Sequence, residues 1–421
     1  MIGIALLGAG LFAQEQHLPA IQSSQAFELR AVYSRSLKSA SALSANSASP
    51  DAVTTYADDH PTPSRSLADL LARTDVSAVI ICLPIPAQPD AIRLALAAGK
   101  HVLSEKPIAP SVADARALVS WHQSLARAPV WAVAENYRFV DPLTFGAAQL
   151  RAIGGAVVTF RLDMFSLVAD ESKYFNTAWR KTPAYQGGFL LDAGVHFVAA
   201  LRLLLGAVGE DVGEVSARTA LLQAKLAPVD TVHAVAKTDR GAIGTMSISF
   251  GTEFKSGFEV QVVTTEGSVT MTPVDVKVAK RGQDGKKVEE RREFTRSSGV
   301  PAELEAFGAS LEQGTADERQ NTAQALKDLA ILQGLLESGA ADGQAKQGIA
   351  IQVIQSPTLL ATAAAAASAV TSTAAAAAAA ITTVAVPVVA TIASIARENV
   401  TACVMAMPPS VPTTPLTAPV A

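Results

Sequence analysis

The stretch GGFLLDAGVHFVAAL (187–201) sets Asp192 and His196 four positions apart among small and apolar residues. At helical spacing the two side chains share one face. Histidine titrates near neutrality, so it can take a proton from a hydroxyl or return one, and a carboxylate beside it can hold a substrate or tune its neighbours. The same pair also reads as a helix N-terminal acid favoured by the dipole, next to a hydrogen-bonded core histidine. The rest of the chain has to decide between these readings.

A second constellation lies at the start of the chain. GAGLFA (8–13) follows the apolar run IGIALL and opens a helical pattern, which fits G-x-G-x-x-A. Gly8 permits the tight turn, Gly10 lets the backbone approach a pyrophosphate, and Ala13 allows close helix–strand packing. The N–H groups of the next helix then face the phosphates. Small residues at such a turn also occur for packing alone. Beyond the second strand-like run (27–34), the sequence AVYSRSLKS places Ser34, Arg35, Ser36 and Lys38 where an NAD site usually carries an acid. A guanidinium beside hydroxyls suits a 2′-phosphate, so the reading leans to NADP over NAD.

These residues need elements to hold them. Residues 1–140 alternate apolar strand-like runs with helical patterns, the arrangement of a parallel sheet covered on both faces. Cys82 falls inside one of these runs, SAVIICLP, and reads as core. From about 150, runs at 154–165, 214–223, 231–238, 241–250, 257–273 and 274–280 read as successive strands of an antiparallel sheet. Two amphipathic helices after 300 are expected to close that sheet. The mixed-sign stretch 284–296 reads as a solvated hairpin or loop. The fold expected is α/β: a Rossmann domain (1–140), then an α+β domain with a large, mostly antiparallel open sheet (141–350). The region 351–421 is rich in Ala, Thr and Pro. By length it suffices to span a bilayer, but alanine is only marginally hydrophobic, and a loosely docked appendage is the reading preferred to a membrane anchor.

The chain of 421 residues carries 34 basic and 38 acidic side chains, a net charge of −4 without a long basic run, so no nucleic-acid partner is expected. Two cysteines, Cys82 and Cys403, exclude a disulfide scaffold and suit a reducing compartment. The N-terminus lacks the basic region of a signal peptide, and a cytoplasmic location is expected. No metal is expected.

Taken in order, GAGLFA, SEKPIA (104–109), ENYRF (135–139), WRKTP (179–183) and GGFLLDAGVH (187–196) give the chain, over residues 2 to 345, a resemblance to the Gfo/Idh/MocA family of glucose–fructose oxidoreductase and inositol dehydrogenase relatives. The resemblance implies a Rossmann domain joined to a mostly antiparallel open sheet. It implies hydride transfer between NAD(P) and a hydroxyl or carbonyl carbon of a sugar, polyol or dihydrodiol. It places Lys106 in the cleft, facing Asp192 and His196, as the catalytic set. Gly8, Gly10, Leu11, Phe12, Ser34, Arg35, Lys38, Leu83, Pro84, Gln88, Glu105, Lys106 and Arg180 are then candidates for the cofactor. Glu105 is expected to orient the lysine or cap its turn. Tyr137, Tyr174 and Trp179 are candidates for substrate, with Arg180 offered for substrate contact as well. Arg138 shapes the cleft or forms a structural ion pair. Gln88 stands where many members have His, and Ala200 where an acid is frequent. Homodimers or homotetramers through the open sheet face are expected. A regulatory protein of the same fold, which binds the nucleotide without turnover, is the alternative. A glycosidase using bound NAD would need further features not found here.

Overall fold

The computed structural model describes residues 1–349. The expected tail, 351–421, lies outside the described residues.

The first six strands stack in parallel, three of them, IGIALL, AVII and WAVA, as unbroken apolar runs. They are β1 (Ile2–Leu7), β2 (Phe27–Ser34), β3 (Thr54–Ala57), β4 (Ala78–Ile81), β5 (His101–Glu105) and β6 (Trp131–Ala134), ordered β3-β2-β1-β4-β5-β6. Ile4, Leu6, Val79 and Ile81 are fully buried, as parallel strands between helical layers must be. The order reverses between β1 and β4. Beyond the carboxyl ends of those two strands lies the crevice where open α/β sheets bind ligands.

The second sheet has nine strands: β7 (Val157–Phe165), β8 (Val212–Ala220), β9 (Thr231–Thr238), β10 (Ile243–Ser249), β11 (Gly257–Thr264), β12 (Gly267–Met271), β13 (Asp275–Arg281), β14 (Lys287–Glu293) and β15 (Lys346–Gln347). Their order is β14-β13-β12-β11-β7-β10-β9-β8-β15, with β7–β10 the one parallel pair among the described residues. The period-2 alternation sorts the two faces. Ala234, Met246, Leu162, Val260 and Met271 form one register row, all buried, while the adjacent row runs Val235, Thr245, Arg161, Gln261 and Thr270 on the open face. The mixed-sign stretch forms a hairpin, in which β14 is exposed along its whole length.

The 19-residue helix Gly188–Gly206 lies on the buried face. Its mean hydropathy of 1.7 would suit a membrane span by length and composition, but most of its surface is covered by this core. Gly187 and Gly188 start it in left-handed conformation (φ +70° and +51°); a Cβ on Gly187 would fall 2.6 Å from Leu336 Cδ1.

One expectation is corrected. The helix Val300–Gln313, expected to close the second sheet, packs on the first: Leu304 and Phe307 join the core around Ile4, Leu6 and Phe27, and Phe307 stacks on Phe27 at 5.8 Å. An amphipathic pattern states that a helix has a buried face without naming the surface that buries it. The helix Thr322–Ala340 packs on both halves, touching β8, the helix Gly188–Gly206 and the helix Val112–Gln123.

Arg138 is the structural ion pair. Its guanidinium makes two bonds to Asp328 (2.8 and 2.7 Å), and Arg202 of the long helix donates to the same carboxylate at 2.6 Å. All three side chains are buried. Removing the shared acid would leave two buried cations without it. Asp328→Ala is therefore expected to lower the unfolding free energy by about 3–5 kcal/mol, read as a lower denaturant midpoint; an unchanged midpoint would show that the pair carries no stability.

Candidate active site

The glycine turn sits at the topological switch. Gly8 N donates to Tyr33 O at 2.8 Å, and Cys82 N donates to Leu7 O at 2.8 Å, so the turn lies between the ends of β2 and β4. Gly8 holds φ +111°, and a Cβ there would fall 2.2 Å from Cys82 O; only glycine fits. A Cβ on Gly10 would meet no atom within 4 Å, the open approach that a pyrophosphate needs. The helical segment 11–23 begins at once, with Leu11 and Phe12 half-buried and a π turn over Ala13–His17. The residues present thus fit a dinucleotide. Leu83 and Pro84 are half-buried just beyond β4, while Gln88 is buried at the start of its helix with Oε1 unpartnered. At the end of β2, Arg35 and Lys38 are exposed and form no ion pair among the described residues, and Ser34 is half-buried between them and the strand. The nearby acids are engaged: Asp58 accepts from Tyr33 Oη at 2.7 Å and Asp59 from Leu37 N at 2.6 Å.

Lys106 follows β5 and reaches the long helix. Its Nζ donates to Asp192 O at 2.8 Å and to Asp192 Oδ1 at 3.1 Å. Arg180 Nε donates to the other oxygen, Oδ2, at 2.6 Å. Burial alone would raise the Asp192 carboxyl, but the Lys106 and Arg180 charges outweigh it and hold the group down to about 2. One helical turn on, His196 Nδ1 lies 2.7 Å from Glu135 Oε1. Burial raises Glu135 as well; His196, then Arg138 and Lys106, bring it below the ordinary carboxylate range. An ionised Glu135 accepts, so Nδ1 carries the hydrogen and Nε2 is the free ring nitrogen. Tyr137 stacks on the imidazole, with centroids 4.6 Å apart and planes at 17°.

The structure therefore brings Lys106, Asp192 and His196 to one edge of one helix, where Asp192 and His196 make no hydrogen bond to each other. The partner of the imidazole is Glu135, which the sequence reading quoted only as part of ENYRF. Its signal was available: a carboxylate directly after the apolar run WAVA, on the same edge as Lys106 after β5. Other placements differ from expectation. Glu105 does not orient the lysine; it bonds His17 Nε2 at 2.7 Å, because consecutive residues leave a strand on opposite sides. Tyr174 donates its hydroxyl to Glu15 at 2.9 Å, beside a Lys173–Glu15 ion pair at 2.7 Å. The Trp179 ring lies 4.0 Å from the Arg180 guanidinium carbon and so backs the arginine. His17 and Glu15 were missed because the π turn that aims them has no sequence mark.

A parallel sheet with a glycine turn at its switch point, followed by a mostly antiparallel open sheet, is the architecture of an oxidoreductase with an NAD-binding Rossmann domain. Residues 2–130 match the family model described as the oxidoreductase family, NAD-binding Rossmann fold, and residues 152–346 match its C-terminal alpha/beta domain. The chain belongs to the Gfo/Idh/MocA oxidoreductase family. It is 51% identical over 346 residues to dehydrogenase FPY6 of Fusarium mangiferae, a match covering 82% of this chain and 99% of the relative. It is 30% identical over 351 residues to D-xylose 1-dehydrogenase (NADP(+)) 2 of Haloferax volcanii, covering 81% and 98%. A solved oxidoreductase from Thermotoga maritima shares the fold with a TM-score of 0.69 at 28% identity, covering 82% of this chain and 98% of the other.

The low value for Asp192 has a sign that can be tested. An unfolded aspartate titrates near about 3.9, so the folded state gains stability from the ionised form above that pH and loses it as pH falls towards 2. The gain is on the order of 2 kcal/mol. Asp192→Asn should lie below the wild type in stability by a near-constant margin at neutral pH, and the margin should shrink in acid. A margin that persists at pH 2 would exclude the charge as its cause.

Proposed function

We propose that the chain is an NADP-dependent dehydrogenase acting on a CH–OH group, or on the matching carbonyl, of a sugar, polyol or dihydrodiol. The observation that carries this reading is the meeting of Lys106, from the nucleotide half, with Asp192 one helical turn from an imidazole held by Glu135. When bound, the nicotinamide supplies the hydride acceptor or donor. The rest falls to side chains. Lys106 has three N–H donors, two of them committed to Asp192, and the third remains to polarise the reacting oxygen. His196 Nε2 takes the hydroxyl proton in oxidation and returns it in reduction, while Glu135 fixes the tautomer and stabilises the imidazolium. Asp192 keeps the ammonium and Arg180 in place without titrating near neutrality.

Arg35 and Lys38, exposed and without an ion pair among the described residues, are the groups that this reading assigns to a 2′-phosphate, and the name of the Haloferax relative is consistent with it. Small hydroxylated substrates fit the xylose dehydrogenase relative. The open face of the second sheet is the surface assigned to a second copy of the chain.

The test is turnover over a panel of aldoses, polyols and dihydrodiols with both nucleotides. Lys106→Ala and His196→Asn should each lose about 10²–10⁴-fold in kcat and still bind NADPH by fluorescence titration. Wild-type binding without turnover on any substrate would favour the regulatory reading instead. A charge-assisted bond is worth about 1.5–3 kcal/mol, so Arg35→Ala should weaken NADP binding by roughly 10- to 100-fold and leave NAD binding as it was. Equal weakening of both nucleotides would end the 2′-phosphate assignment.

A further inference from the structure

Three buried carboxyls come from three separate elements. Glu105 ends β5 and pairs with His17; Glu135 follows β6 and pairs with His196. The third is Glu303, in the first turn of the helix Val300–Gln313, 1% exposed and with no hydrogen-bond partner for Oε1 among the described residues. Close backbone packing brings it to the other two. Gly299, just before that helix, has φ +77°, and a Cβ there would fall 2.3 Å from Asn136 O, the residue next to Glu135. Asn136 Nδ2 donates to Ser298 O at 2.7 Å, and Gln320 Nε2 donates to Glu303 O at 2.9 Å. The same helix touches the π turn that carries His17. Two further buried atoms of this region lack partners: Glu135 Oε2 and His17 Nδ1.

The cations nearby are committed. His17 is paired with Glu105, His196 with Glu135, and Arg138 with Asp328. Lys106 is turned to Asp192. The charged groups that act on Glu303 are Glu105 and Glu135, both of its own sign, and with burial they push its carboxyl well above the ordinary range. Unpaired buried carboxylates of like charge are avoided by keeping a proton on one of them.

We propose that Glu303 is a neutral carboxylic acid in the working enzyme and donates its O–H through one buried water to Glu135, as a positioning residue that sets how firmly Glu135 holds the His196 imidazolium. The inference rests on the reading of His196 as the acid–base group. The Glu303 proton stays in place through the cycle and is not the one exchanged with substrate. A carboxylate that already accepts one hydrogen bond at Oε2 is a weaker base at Oε1. Without that bond, Glu135 holds the imidazolium more tightly.

The test compares Glu303→Gln with Glu303→Leu in the full-length protein. In the oxidation direction, the limb of kcat/KM that rises with pH should move up by about one unit in Glu303→Leu and return to the wild-type position in Glu303→Gln, which keeps a neutral donor. A limb unmoved in Glu303→Leu, with only a uniform fall in rate, would overturn the proposal. So would a limb shifted in Glu303→Gln, because that variant removes only a charge the proposal denies. A second readout needs neither turnover nor the leucine variant. The infrared carbonyl stretch of a neutral carboxylic acid should be present in wild type at neutral pH and missing from Glu303→Gln; identical spectra would overturn the proposal. That signal is independent of catalysis, so a failure of the dehydrogenase reading would show itself separately, as full activity in His196→Asn.

Discussion

One buried carboxylate, Asp192, ties the molecule's two halves into a single site. It takes Lys106 from just past the end of a parallel strand on one oxygen and Arg180 from the short helix Ala178–Lys181 on the other. A carboxylate in that position would be costly alone, and two cations from independent elements would repel each other without it. The three are stable only as a set. Forming the set fixes the angle at which the long helix meets the nucleotide sheet, and with it the place of His196 one turn later. The chemistry proposed for the site depends on this arrangement, because the lysine and the imidazole can act on one substrate atom only if the helix carrying both partners is held in register.

The pairing also divides the work between the acids. Asp192, flanked by two full cations, is ionised far below neutrality and serves as an anchor. Glu135 has an imidazole as its hydrogen-bonding partner. Three residues of helix lie between two contacts of different kinds, a carboxylate held by two cations and an imidazole held by a carboxylate. Tyr137, stacked on the imidazole and with its phenol pushed to about 12 by burial and by Glu135, contributes shape to that contact and no proton near neutrality.

Much of this was legible in the residues. The apolar runs of β1, β4 and β6 leave no polar alternation and suit buried parallel strands, and the glycine at position 8 marks the tight strand–helix turn. The second sheet showed itself by its period of two. What escaped was mostly what depends on distant packing. The helix Leu37–Ala45, capped by Ser36, hid in a Ser- and Ala-rich stretch with little hydrophobic contrast. The strand β3, four residues long, was too short to register a pattern. Glu135 and His17 are contacts across 61 and 88 residues of chain, and no local spacing announces such pairs. The contacts of Glu105 and Tyr174 escaped for a related reason: the type of a side chain limits its chemistry, while the direction it points is decided by the backbone geometry beneath it.

The return of residues 300–313 to the first sheet has a consequence for how the chain can be divided. Phe27 at the start of β2 is covered by Phe307, nearly three hundred positions later. A boundary drawn near 140 therefore separates strands without separating cores. A fragment ending there would expose the apolar side of β1 and β2 to water, and the nucleotide half reaches its full shelter only after the open sheet has been synthesised. In this molecule the two modules seen in the sequence share structure, since the wall of the first is written at the end of the second.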